Sequence, residues 1–194
     1  DFLPIVNEIR RLQPDVIFST VVGDGTVFLY QTYTEAGLDP RTMPIASLTT
    51  TEAEIRAMGF DVGEGHITAA PYFEGVPGAA NASFVASFKK RFGDDCSTNM
   101  CVESSYFQLY LFAKALEQAN TLDTDVLRSM VLGTTLSAPQ GQVAVDPLSG
   151  HTDLWTRIGR VNRQGQFDIL DQSASAVHPD PFLIGYGRAM AGTE

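Results

Sequence analysis

The stretch from Asp15 to Tyr30, DVIFSTVVGDGTVFLY, limits the fold more than any other part of the chain. It opens with an apolar, β-branched run, breaks at Gly23-Asp24-Gly25, and then places apolar residues at helical spacing. A short buried strand that leads through a glycine turn into a helix is the basic unit of α/β proteins. Ligands of open α/β sheets gather at the carboxyl ends of the strands, where this turn lies. The turn is therefore predicted to form one wall of a small-molecule site.

The pattern of strand followed by helix continues after this unit. Asp24 or Thr26 is the expected N-cap of the first helix, and Thr49 stands three residues before Glu52, the spacing of a capping box. Strands alternating with helices predict parallel pairing with right-handed crossovers. The helices and strands of this part are predicted at 26–36, 44–47, 51–58 and 66–72.

The second half of the chain changes character at residues 75–80, GVPGAA, which are predicted to form a linker. Three helical patterns follow without a strand between them, so a sheet supplied from elsewhere is expected to cover them. The tail then alternates as antiparallel strands do, with a hairpin turn at 163–165. The helices are predicted at 81–92, 103–119 and 123–131, and the tail strands at 142–145, 155–161 and 166–170.

Composition excludes several classes of partner and cofactor. The net charge of −10 argues against direct nucleic-acid binding and against an anionic membrane surface. No apolar run is long enough for membrane insertion as a helix. Phe28 stands where a dinucleotide fingerprint needs its third glycine, and no phosphate-binding lysine motif is present, so no cofactor is expected. The spacing of Cys96 and Cys101 leaves a local disulfide and two free thiols both open.

Catalytic and metal-binding chemistry has little support in the sequence. None of the three histidines, His66, His151 and His178, lies in a nucleophile or metal-ligand motif, so no catalytic residue and no metal ligand is assigned. An amidohydrolase using Asp24 and a histidine is the enzymatic alternative, and it lacks a nucleophile, base and oxyanion set. A ligand-free structural or sensory module is a third alternative.

What remains is a set of polar and backbone groups at the ends of the predicted strands. The candidate ligand-binding residues are Val21, Val22, Gly23, Asp24, Thr49 and Tyr72. Neutral hydroxyls and fixed dipoles suit a small uncharged polar ligand. The alternative is purely structural: Asp24 and Thr49 would be helix caps, and Tyr72 would be a core aromatic residue whose hydroxyl is hydrogen-bonded.

Five stretches resemble the type I periplasmic binding proteins, and within them the amide and urea branch with its amide-sensing regulators of amidase operons. The resemblance runs in order through all 194 residues but spans only about the C-terminal half of a usual member. The chain also begins at Asp1 without a methionine, so a preceding segment is expected. The stretches are FSTVVGDGT (18–26), PIASLTTTEAE (44–54), APYF (70–73), APQGQV (138–143) and HPDPF (178–182).

The resemblance implies an α/β fold with two doubly wound parallel-sheet lobes joined by a hinge, of which this chain holds the C-terminal half. Residues 1–72 would belong to the second lobe, 73–137 would return to the first lobe as a mostly helical segment, and 138–194 would re-enter the second lobe as strands and tail. Family ligand contacts match Val22 and Thr49 in this sequence.

The function implied is that of a non-catalytic binding protein for a small neutral amide or urea, closing two lobes on the ligand. In the regulator form, which is cytoplasmic, the partner would be an antiterminator protein. The alternative is the periplasmic substrate-binding component of an ABC transporter for urea, short amides or branched amino acids, with a permease as partner. Asp24 and His178 depart from the regulator's residues, which leaves the compartment open, and homo-oligomerisation is also open.

Overall fold

The computed structural model of the chain describes residues 1–183, which form a mixed α/β structure. The helices are α1 (Leu3–Leu12), α2 (Asp24–Glu35), α3 (Glu52–Met58), α4 (Phe60–Gly63), α5 (Ala79–Phe92), α6 (Met100–Ala119) and α7 (Thr124–Val131). The strands are β1 (Ile17–Ser19), β2 (Ile45–Ser47), β3 (Ile67–Ala70), β4 (Thr135–Ala138), β5 (Gly141–Val145), β6 (Thr152–Asp153), β7 (Arg157–Val161) and β8 (Phe167–Gln172). None of these helices combines the length and apolarity that a bilayer crossing requires.

The larger sheet has the order β1-β2-β3-β7-β8 and confirms the predicted pairing. β1, β2 and β3 are parallel, whereas β7 and β8 run antiparallel and are joined by the predicted hairpin. Because the order steps in one direction, right-handed crossovers bring α2 and α3 to the same face. Ile45 and Ala70 are buried on that face, whereas Phe18 on the opposite face is 67% exposed.

Two predicted caps are wrong. Gly23, at φ 61°, is the N-cap of α2 and offers no side-chain cap, so neither Asp24 nor Thr26 has that role. The capping box of α3 is formed by Thr51 and Glu54, because the chain enters the helix two residues later than the Thr49–Glu52 spacing indicates. Asp123 caps α7, and its side chain accepts from the backbone N–H groups of Asp125 and Val126.

The buried apolar residues fall into two clusters. The first cluster joins α1–α3, α5 and the five-stranded sheet through residues such as Tyr33, Ile55 and Phe84. The second cluster packs α6 on the three-stranded sheet β4-β5-β6, through residues such as Phe107 and Val143. The chain itself thus supplies a sheet, β4–β6, for one side of α6. Leu109, Tyr110 and Phe112 of the same helix are 69%, 51% and 47% exposed, so the expectation that a sheet from elsewhere covers the helices stays a prediction.

The division into lobes stays a prediction, although the clusters do not follow its limits. Phe84, inside the segment predicted to return to the first lobe, packs in the first cluster. Ala138 and Val143, predicted to re-enter the second lobe, pack with α6. Cys96 and Cys101 are both free and exposed.

Candidate functional site

The loops that follow β1 and β2 lie side by side, because the two strands are parallel neighbours. The Val21 carbonyl joins them: it accepts hydrogen bonds from the Thr49 hydroxyl at 2.6 Å and from the Thr26 hydroxyl at 2.9 Å. The structure thus brings Val21 and Thr49 together, although 28 residues separate them in the chain. We call these two loops, residues 20–24 and 48–51, the loop pair.

The β2–α3 loop is fixed from beneath by two residues that sequence reasoning missed. The buried Ser47 hydroxyl accepts from the backbone N–H groups of Thr49 and Thr50 at 3.0 and 3.1 Å. The Tyr30 hydroxyl lies 3.1 Å from the Thr50 hydroxyl, and burial raises the pKa of Tyr30 to about 12. A serine at the last position of a strand, followed by a polar turn, is a signal that could have identified Ser47.

The hydrogen bonds of Thr49 decide what it offers a ligand. Its hydroxyl proton points to the Val21 carbonyl, so the Ser47 hydroxyl, 3.2 Å away, acts as donor to Thr49. A hydroxyl has one proton and two lone pairs, so one lone pair of Thr49 is left to accept a further hydrogen bond. The side chain therefore favours a ligand that carries an N–H or O–H donor.

Three more predicted residues form the open rim of the loop pair. The Val22 side chain is 66% exposed, and Gly23 and Asp24 are exposed beside it. An added Cβ at position 23 would meet nothing within 4 Å, so lack of space is not the reason for glycine there. The positive φ of this residue is the reason, because glycine adopts it without strain. The carboxylate of Asp24 disfavours anionic groups at this rim, which is otherwise made of neutral side chains and backbone.

Tyr72 is the predicted residue that the structure does not bring to the loop pair. Its side chain is 1% exposed, and its hydroxyl donates to Asn81 Oδ1 at 2.7 Å and lies 2.9 Å from the Thr98 hydroxyl. Burial is the main cause that raises the pKa of Tyr72 far above its ordinary value. Tyr72 is therefore a core aromatic residue with a hydrogen-bonded hydroxyl, which is the structural alternative to a ligand contact. It is not part of the proposed site.

Tyr72 belongs to what we call the core network, formed by Tyr72, Glu74, Asn81 and Thr98. Asn81 donates to the carbonyls of Glu74 and Val76 at 2.8 and 2.6 Å. The Glu74 carboxylate accepts from Thr98 N at 2.7 Å and pairs with Lys89 at 2.7 Å. Glu52, the first residue of α3, accepts from Glu74 N at 2.7 Å. Desolvation raises the pKa of Glu52 to about 7.

Residues 1–183 contain no cluster of three or more histidine, cysteine or carboxylate side chains that could hold a metal ion. His66 is buried between Tyr30 and Tyr33, and its Nδ1 accepts from Ile45 N at 3.0 Å. Desolvation lowers the pKa of His66 to about 4, so the ring is neutral at physiological pH. It is a core residue.

A cavity of about 850 Å³ lies away from the loop pair, between α6 and the β5–β6 region. Apolar side chains of the second cluster line it, among them Phe107, Leu111 and Val145. None of the six predicted ligand-binding residues contributes to this lining. The loop pair and the cavity are therefore separate features of the molecule.

Solved structures with the same fold are solute-binding proteins. A solute-binding protein of an ABC transporter from Rhodopseudomonas palustris BisB5, in complex with 3,4-dihydroxybenzoic acid, is 24% identical, with a TM-score of 0.82 over 93% of this chain and 50% of that one. A leucine-binding protein from Thermotoga maritima MSB8 is 17% identical, with a TM-score of 0.74 over 89% of this chain and 48% of that one. The chain thus spans about half the length of these structures.

A curated relative and a family profile complete the comparison. Limonene hydroxylase from Geobacillus stearothermophilus is 25% identical over 126 residues, which are 65% of this chain and 23% of that protein. The profile of the periplasmic binding protein domain matches residues 1–186, nearly the whole chain. The chain, with its α/β fold, therefore belongs to the type I periplasmic binding protein family.

Proposed function

We propose that this chain is part of the solute-binding component of an ABC transporter and binds a small ligand that carries N–H or O–H donors. The observation that carries the ligand class is the free lone pair of Thr49, whose proton is directed to Val21. Short amides, urea and the ammonium group of an amino acid all supply a donor for it. The exposed Asp24 on the rim of the loop pair is compatible with these groups and disfavours a carboxylate directed at the rim, so an amino acid would bind with its ammonium group toward it.

The transporter role is supported by the similar structures, which are transporter components or amino-acid-binding proteins. It makes a membrane permease the partner and the periplasm the compartment. The antiterminator partner of the regulator reading has no support from these proteins. We also propose that the two lobes close on the ligand and that the loop pair is one wall of the closed site.

The test is calorimetry of the complete protein with acetamide, propionamide, urea, leucine and benzoate. Benzoate has no N–H donor and is expected not to bind at the Thr49 wall, whereas an amide, urea or leucine is expected to bind. Benzoate binding in preference to all the others would contradict the proposed ligand class. Binding of leucine and of no other compound would exclude amides and urea as ligands. It would still agree with the loop pair as the wall that accepts a hydrogen bond from the ligand.

Thr49→Val tests the wall directly. The substitution keeps the shape of the side chain but removes both the acceptor and the hydrogen bond to the Val21 carbonyl. Affinity should therefore fall at least about tenfold, equivalent to about 1.4 kcal/mol. Thr42→Val is the matched control, because Thr42 is exposed and its hydroxyl contacts only the Asp39 carbonyl. Equal affinities of the two variants would reduce Thr49 to a structural residue.

We infer that the protein is not an enzyme. The family it belongs to is a binding family, and the match to limonene hydroxylase covers less than a quarter of that protein. Incubation of the complete protein with acetamide should release no ammonia. Steady ammonia release that scales with protein concentration would contradict this inference.

A further inference from the structure

A second buried network lies where the two apolar clusters meet. We call Glu103, Gln140 and Arg157 the junction network; their exposed fractions are 0%, 1% and 4%. Glu103 Oε1 and Oε2 accept from the backbone N and the side-chain Nε2 of Gln140 at 3.2 and 2.9 Å. Arg157 donates to the Pro71 carbonyl and, at 2.7 Å, to the Gln140 carbonyl. The three side chains therefore connect α6, the β4–β5 turn, the end of β3 and the start of β7.

The position of these residues along the chain is what distinguishes them. On α6, Val102 packs against the first cluster and Phe107 belongs to the second, with Glu103 between them. The chain returns from Leu154, packed on the second cluster, to Val161 in the first, with Arg157 between. The chain thus runs between the two clusters twice, along α6 and along 154–161, and a residue of the junction network lies in each of these stretches.

Trp155 joins the same network and makes it observable. Its backbone N–H donates to Gln140 Oε1 at 3.1 Å, and its ring centroid lies 5.2 Å from the Arg157 guanidinium carbon. A Cβ on Gly141 would come within 2.5 Å of the indole nitrogen, so glycine leaves room for this ring. Trp155 is the only tryptophan among these 194 residues, so within them its fluorescence reports on this junction.

We propose that Arg157 is a positioning residue that sets the angle between the two apolar clusters. One guanidinium contacts a carbonyl on each side: Pro71 precedes Tyr72 of the first cluster, and Gln140 lies between Ala138 and Val143 of the second. A planar fork holds two acceptors in a fixed relative orientation, which an ammonium group does not. Resting on the proposed function, this places the pivot of ligand-driven closure at Arg157.

The angle is measured without ligand, by spin labels in the two regions. Both native cysteines are replaced by serine, and labels are attached through Asp61→Cys, beside the first cluster, and Leu148→Cys, after β5. Arg157→Lys should broaden and shift the distance distribution measured by pulsed electron paramagnetic resonance. Arg160→Lys is the matched control, since Arg160 is exposed on the same strand β7 and should leave the distribution unchanged.

Glu103→Gln covers the case in which Arg157→Lys does not fold. This substitution preserves the size of the side chain. It replaces one of the two Glu103 oxygens that accept from Gln140 with an NH2 donor, which loosens the same junction. A distribution identical to the parent's in every folded variant of Arg157 or Glu103 would overturn the proposal, as would an equal change in Arg160→Lys.

Ligand titration then links the pivot to closure. In the complete protein, with any tryptophan outside these 194 residues replaced by phenylalanine, a ligand that binds by calorimetry should change Trp155 emission. Arg157→Lys should reduce that change. Unaltered emission at saturation would overturn the link to closure. If no ligand of the panel binds, the proposed function fails, and the spin-label distances still decide the role of Arg157.

Discussion

The core network and the junction network bury the same kinds of groups in different surroundings. The core network lies beside one apolar cluster, to which its Tyr72 belongs, and its Glu74 has a cationic partner in Lys89. The junction network lies between two clusters, and Glu103 is held by the neutral amides of Gln140. Its one cation, Arg157, donates to carbonyls. Loss of a group should therefore lower stability in the first network and alter relative geometry in the second.

The largest expected effect is in the core network. Asn81→Ala removes three hydrogen bonds and leaves the buried carbonyls of Glu74 and Val76 without a donor. At about 1–3 kcal/mol for each unsatisfied buried group, the free energy of unfolding should fall by about 4 kcal/mol. Urea denaturation measures it, with Asn7→Ala on the exposed part of α1 as control. A loss no larger than that of the control would show that the network does not support the core.

A smaller effect is expected from pH at the junction. Desolvation raises the pKa of Glu103 to about 7 from an ordinary value of 4.5. Between these two pH values the folded state therefore binds more protons than the unfolded state. The contribution of Glu103 to stability is complete below pH 4.5 and is lost as the pH rises through 7. The unfolding free energy of the parent should fall relative to Glu103→Gln by up to about 3 kcal/mol across this window.

Urea titrations of both proteins between pH 4.5 and 8 measure this difference. Glu117→Gln, at an exposed position of the same helix α6, serves as control and should follow the parent. Parallel stability curves for the parent and Glu103→Gln would show that burial does not perturb this carboxyl.

The smallest effect is expected from Trp155→Phe. The substitution removes the indole hydrogen bond to the Gln142 carbonyl and weakens the contact with the Arg157 guanidinium. Stability should fall by about 1 kcal/mol. In double-mutant cycles, Trp155 should couple to Arg157 more strongly than Asn81 does. A stronger coupling of Arg157 to Asn81 than to Trp155 would show that the two networks act as one.

Local patterns predicted the parallel β1–β3 unit, the helices α2, α3 and α5–α7, and the β7–β8 hairpin, because those signals depend on residues close together in the chain. The meeting of Val21 and Thr49 at one edge also followed, since parallel strands end on the same side of a sheet. The junction network did not, because Glu103, Gln140 and Arg157 are brought together only by packing of distant elements. The same holds for Tyr72: strand position alone does not tell whether its hydroxyl faces a cleft or Asn81.

Among residues 1–183, one face of the five-stranded sheet is partly exposed, with Phe18 on its outermost strand, β1, beside an edge that no described strand pairs with. Open apolar faces and free strand edges promote association between chains. This exposed surface therefore favours attraction between copies and lowers the concentration at which the chain remains dispersed. A charged side chain at position 18 would raise that concentration without touching the loop pair.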